Sequence, residues 1–139
     1  MAVERAVSRD GVLTTLAVLM GLLAVSNMMK PVGQAFDPEG SAGFVFLGQR
    51  LRGLANAIAG PLFGVWLATY AWAIWNRRRL ALPLGIAYAA YVPVNLVLFA
   101  LDPPPGSGGP VFGAIYALVA IGVSGGGALY LYSKRDLLH

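Results

Sequence analysis

Four long apolar runs, at residues 12–29, 54–75, 80–101 and 111–132, constrain this chain more than any other feature. At a rise of about 1.5 Å per residue, runs of this length cross a hydrocarbon layer of roughly 30 Å. Inside hydrocarbon each backbone N–H and C=O must find its partner within the protein, so the runs are expected to be helices. No carboxylate or histidine interrupts them. Charged residues make up 12% of the chain, against about 25% in ordinary soluble domains. With a mean hydropathy of +0.69, too few charges remain to coat a water-facing surface. The expectation is an all-α, integral membrane four-helix bundle, one domain over residues 1–139, multi-pass in the cell membrane.

The first run has some marks of a secretory signal. Arg5 and Arg9 form a basic start, and Ala24-Val25-Ser26 looks like a small-residue cleavage site. Its apolar stretch exceeds the usual signal core of about 7–15 residues, so retention as a first helix is the preferred reading.

The net charge of +4 does not point to nucleic acid. Most basic residues stand beside the apolar runs: Arg5 and Arg9, Arg77 to Arg79, Lys134 and Arg135. That is the pattern of topology-setting charge, without the aromatic interleaving of a binding sheet. An inside N-terminus leaves seven Lys/Arg on inner segments and three, Lys30, Arg50 and Arg52, on outer loops. Both termini are therefore expected in the cytoplasm. Trp72, Trp75, Tyr130 and Tyr132 fit an inner aromatic belt.

The loops differ. Arg77 to Arg79 make a hairpin so short that the second and third helices should be antiparallel neighbours. The outer turn Asp102-Pro103-Pro104-Pro105-Gly106 is stiff at first, and Pro110 suits a helix start. The long outer loop, residues 30–53, is of a length more often functional or disordered than inert. Within it, Phe44-Val45-Phe46-Leu47 is too short to span and reads as an interfacial anchor.

Gly53, Ala57, Gly60 and Gly64 place small residues along one stripe of the second helix. Gly113, Ala117, Ala120, Ser124 and Ala128 do so on the fourth. Close intramolecular packing is the preferred reading, and a subunit interface is compatible with it. Gly125-Gly126-Gly127 is expected to pack tightly near the inner leaflet, with a hinge or ligand approach as the alternative. Pro61 and Pro93 should kink their helices.

The candidate site is a polar rim on the outer side. Asn27 and Lys30 end the first helix, and Gln49, Arg50, Arg52 and Asn56 open the second. Asn95 and Asp102 lie in the outer half of the third. Arg50 and Arg52 stand where the charge rule disfavours them, so something local should compensate. Ion pairs with Asp37, Glu39 or Asp102 are one answer. The other is an anionic group, phosphate or carboxylate, gripped by the guanidinium forks. Asn27, Gln49, Arg50, Arg52, Asn56 and Asn95 are the proposed ligand contacts. The expected partners are membrane lipid and either a second copy of the chain or another membrane protein.

The run Arg52-Gly53-Leu54-Ala55-Asn56, followed by Pro61-Leu62-Phe63, resembles the start of helix two in the membrane-associated eicosanoid and glutathione metabolism family. The resemblance implies a trimeric four-helix bundle binding glutathione, hence a small-molecule transferase as the alternative function. The chain departs from that pattern. Ala59 stands where the family has a glutamate, the proline comes one residue early, and the third run lacks the arginine–tyrosine pair.

No paired acids, no nucleophile with a basic partner and no phosphate-cradling glycine loop are present. Absent cysteines exclude disulfides and iron–sulfur clusters, and the only histidine is His139. No catalytic residue, metal ligand or cofactor is assigned. The leading expectation is a non-enzymatic interaction or accessory protein.

Overall fold

The computed structural model describes residues 10–38, 43–104 and 108–139. Four of its helices are long and apolar enough to cross a membrane: α1 (Gly11–Met28), α3 (Gly53–Trp75), α4 (Ala81–Leu101) and α5 (Pro110–Ser133). A short α2 (Lys30–Phe36) and a hairpin of β1 (Val45–Phe46) and β2 (Gln49–Arg50) lie between α1 and α3. A 3-10 turn (Arg135–Leu137) follows α5.

Only 11–33% of the most apolar stretch of each long helix is buried inside the protein. Leu54, Leu118 and Leu129 are each at least 73% exposed. In water such a surface would aggregate, whereas lipid tails solvate it. The chain is a multi-pass membrane protein.

Local chemistry sets the helix ends. The Asp10 carboxylate accepts hydrogen bonds from Val12 N at 2.9 Å and Leu13 N at 3.1 Å, capping α1. Pro110 occupies the first turn of α5, where its missing N–H costs nothing. α3 and α4 continue through Pro61 and Pro93, and α5 continues through Gly125 to Gly127. A lipid setting favours this, because fraying would expose backbone groups to hydrocarbon.

Small residues decide which helices touch closely. Part of the predicted stripe on α3 faces α1. A Cβ at Gly60 would lie 3.0 Å from the Asn27 carbonyl oxygen, and one at Gly64 would lie 2.8 Å from that of Ala24. α1 supplies Leu13, Leu16, Ala17, Met20 and Ala24 to the core, and α3 supplies Leu67, Tyr70, Ala73 and Ile74. α4 lies chiefly along α5.

α3 and α4 are antiparallel neighbours, as the short turn between them predicts, and their contact is made by large side chains. The two helices are joined by the Arg77–Arg79 turn but are held apart by rings. Phe63 meets Tyr91 at 5.3 Å between centroids, Trp66 meets Tyr88 at 6.1 Å and Tyr70 meets Tyr88 at 6.2 Å. Gly85 makes room for the buried Tyr70 hydroxyl, which would sit 2.8 Å from an added Cβ.

Of the three consecutive glycines, only Gly127 packs tightly, against Leu16. Gly125 and Gly126 have open space where a side chain would stand. Tight packing of the whole triplet is therefore not what the fold uses.

The start of α1 and the end of α5 lie together, since the Tyr130 hydroxyl donates to Asp10 at 2.8 Å. Past α5 the chain folds over the α3–α4 turn. His139 N donates to the Arg77 carbonyl at 2.8 Å, Arg79 N donates to the His139 carbonyl at 3.2 Å, and Leu138 enters the core. The basic turn and the β-hairpin thus occupy opposite ends of the bundle, called inner and outer below.

Candidate functional site

At the outer end, residues expected to form a loop fold into a cap. α1 runs through Met29 into α2, whose first turn contains Pro31. Gln34 on α2 then reaches the start of α3. Its Oε1 accepts from Gly53 N at 2.9 Å and from Asn56 Nδ2 at 3.0 Å, and its Nε2 donates to the Leu51 carbonyl at 3.3 Å.

Asn56 is fully buried, and its Oδ1 accepts from Phe44 N at 2.7 Å. A buried backbone N–H without a partner costs about 1–3 kcal/mol, so this amide stands in for the water that the cap excludes. Leu51 N donates to the Phe44 carbonyl at 2.8 Å and extends the pairing of the hairpin.

The hairpin turn is Leu47-Gly48, with φ of 47° and 79°, the two positive values that a type I′ turn requires. Gly48 lies so close to α4 that a Cβ would approach the Leu98 carbonyl carbon to 2.6 Å. Asn95 Oδ1 accepts from Gly48 N at 2.9 Å, and the Tyr91 hydroxyl donates to the Val45 carbonyl at 3.3 Å. Both side chains flank Pro93, and both serve the hairpin.

Phe44 is buried and meets Phe63 at 5.1 Å, while Phe46 meets Tyr91 at 6.3 Å. The interfacial anchor expected at residues 44–47 is corrected on this point. Its first ring is buried against Phe63 of α3, although Phe46 and Leu47 keep exposed faces. Below the cap the rings continue from Phe63 through Trp66 to Tyr70.

The proposed contacts divide accordingly. Asn56 and Asn95 are drawn together by the cap and bind its backbone. Asn27 stays apart and donates to the Leu23 carbonyl of its own helix at 2.8 Å. Gln49 is exposed on β2. Arg52 precedes α3 and donates through Nη1 to the Pro38 carbonyl at 2.8 Å. Of the acids considered as ion-pair partners, Asp37 and Asp102 are exposed and Glu39 lies outside the described residues.

Arg50 is half-buried near Lys30. Burial and the adjacent Arg50 charge together hold the Lys30 ammonium below its ordinary pKa. The cap thus carries two cations near enough to disfavour one another. The amides of Gln34, Asn56 and Asn95 are engaged with the cap's own backbone. Among the described residues no group of three or more His, Cys, Asp or Glu could hold a metal.

Sequence reasoning missed Gln34 and the role of Tyr91. Pro31 in a first turn, followed by Gln34 one turn later, is the local sign of α2. Nothing local marks Asn56 as its partner, 22 residues away.

No protein-family model matches the chain, and neither a curated protein nor a solved structure matches it. The resemblance at residues 52–63 therefore gains no family support.

Proposed function

We propose that this chain is a non-enzymatic accessory or interaction protein of the cell membrane, with both termini cytoplasmic. Its outer cap presents Lys30, Arg50 and Arg52 to an anionic lipid headgroup. The supporting observation is the juxtaposition of Lys30 and Arg50 on a cap fastened by Gln34, Asn56 and Asn95. An anion shared between two like charges relieves their repulsion and restores the Lys30 pKa. A rigid mount favours such binding, because little further ordering is needed.

Small glycine faces at Gly125 and Gly126 leave room for a second copy of the chain or another membrane protein against α5. Asn56, on which the transferase resemblance turns, lies under the cap bonded to Phe44 and Gln34, and no observation favours that reading.

The test is native mass spectrometry of protein extracted from membranes, comparing wild type with R50Q/R52Q. Loss of co-purified anionic lipid from the double variant is expected. Unchanged lipid would overturn the reading, and loss of an acidic protein instead would move the cap's ligand from lipid to protein. The same spectra report the subunit number.

A further inference from the structure

The inner end contains a second charged feature, a pocket of about 410 Å3 lined by Arg79, Leu82, Arg135, Asp136 and Leu138. This lies within the range of small-molecule sites, roughly 300–1,000 Å3. It forms where two pieces of chain meet: the α3–α4 turn with the first turn of α4, and the strap after α5. From its position at the helix ends it faces the level of the lipid headgroups, and Leu82, half-buried against the core, lines its apolar side.

Two features hold its walls in place. The strap is tied to the turn through the backbone bonds between His139 and both Arg77 and Arg79, while Leu138 is buried in the core. The Arg135 guanidinium lies 4.4 Å from the Tyr132 ring centroid, and its Nη1 donates to the Tyr132 carbonyl at 3.0 Å. Stacking fixes the plane of the fork, and an arginine carries five N–H donors, so others remain for a ligand. A side chain already ordered in this way loses less entropy on binding.

The combination of charges selects the ligand. Two arginines suit a phosphate. Asp136 on the same wall repels a second anion and suits a cation beside that phosphate. We propose that this pocket binds the headgroup of an aminophospholipid of the phosphoethanolamine type, with its phosphate on Arg79 and Arg135 and its ammonium on Asp136. This site is separate from the outer rim, and neither depends on the other.

The test uses the full chain in nanodiscs or mild detergent, with retained lipid read by native mass spectrometry. Phosphatidylethanolamine, phosphatidylglycerol and free phosphoethanolamine are offered in separate arms. In an R50Q/R52Q background, which removes the anion site of the outer rim, the chain is expected to retain phosphatidylethanolamine about tenfold better than phosphatidylglycerol, a preference of about 1.4 kcal/mol. D136N, at an exposed position, is expected to abolish that preference while keeping phosphatidylglycerol bound. R79Q/R135Q in the same background is expected to lose both lipids.

Equal retention of the two lipids by the R50Q/R52Q chain would overturn the proposal, as would an undiminished preference when D136N is added. Displacement of lipid by an equal concentration of free phosphoethanolamine would overturn the lipid assignment.

Discussion

The two ends of the bundle meet water with different chemistry. At the outer end a folded segment is pressed onto the helices, and neutral amides do the fastening: Gln34, Asn56 and Asn95 satisfy backbone groups that the cap has removed from water. At the inner end cations lie over rings, with Arg78 near Trp72, Lys134 near Tyr130 and Arg135 near Tyr132. The difference follows from depth. A buried amide needs only hydrogen-bond partners, whereas a buried charge also needs a counter-charge. Cations therefore suit the open surface, where they stack and remain hydrated.

The contrast predicts that damage at one end leaves the other intact. Asn56→Leu should have the largest effect, because it leaves the buried Phe44 N–H without its partner and removes one of the two donors to Gln34 Oε1. A loss of about 3 kcal/mol is expected in detergent unfolding, the upper end of the range of about 1–3 kcal/mol for one orphaned buried group. Proteolysis between α2 and α3 should accelerate at the same time. A variant as stable as wild type would show that the amide fastening is dispensable.

Gly48→Ala comes next. It places a methyl against α4 in a left-handed turn, and about 2 kcal/mol is expected from overpacking alone. Helix content by circular dichroism should hold while the cap opens. Concerted loss of helices would mean that the two ends are not independent.

At the inner end, Asp10→Ala removes the cap of α1 and the acceptor of Tyr130, for about 1 kcal/mol. Outer-cap proteolysis should stay at the wild-type rate.

The smallest effects are in pH. Burial pushes the Asp10 carboxyl up, but the Leu13 N–H, the Tyr130 hydroxyl, the Val12 N–H and the Lys134 charge together bring it below its ordinary value. Its contribution is present above the unfolded pKa and is lost as pH falls through the folded one. Lys30 gives a slope of the same sign at the outer end, in an alkaline window. With its folded pKa lowered, the unfolded chain binds more protons in the alkaline window below 10.5, so stability rises with pH there. Lys30→Gln should flatten the alkaline slope, and Asp10→Asn the acid one. A slope unchanged in either variant would remove that group from the picture.

The spans were legible because hydrocarbon imposes one length and one secondary structure, and their ends fall within one residue of the expected positions. The glycine stripe on α3 was legible too, as a surface of close approach, but a stripe does not name its partner. That α1 occupies it at Gly60 and Gly64 depends on tertiary packing. The cap was illegible for a related reason. A short apolar run such as Phe44 to Leu47 has the same composition whether it meets lipid or Phe63. What separates these outcomes is a set of bonds across 12 to 47 residues, from Asn56 to Phe44 and from Asn95 to Gly48. The polar residues of the rim were picked out by type and depth, but their bonds to the cap were not.

A bilayer between the β-hairpin and the arginine turn underlies everything above, and it can be tested directly. The chain has no cysteine, so Gln49→Cys and Arg78→Cys each introduce a unique thiol at an exposed site. In intact cells a membrane-impermeant maleimide should label Q49C at once and R78C only after permeabilisation. Equal labelling of both thiols from one side would contradict a four-span bundle with its two ends on opposite faces of the membrane.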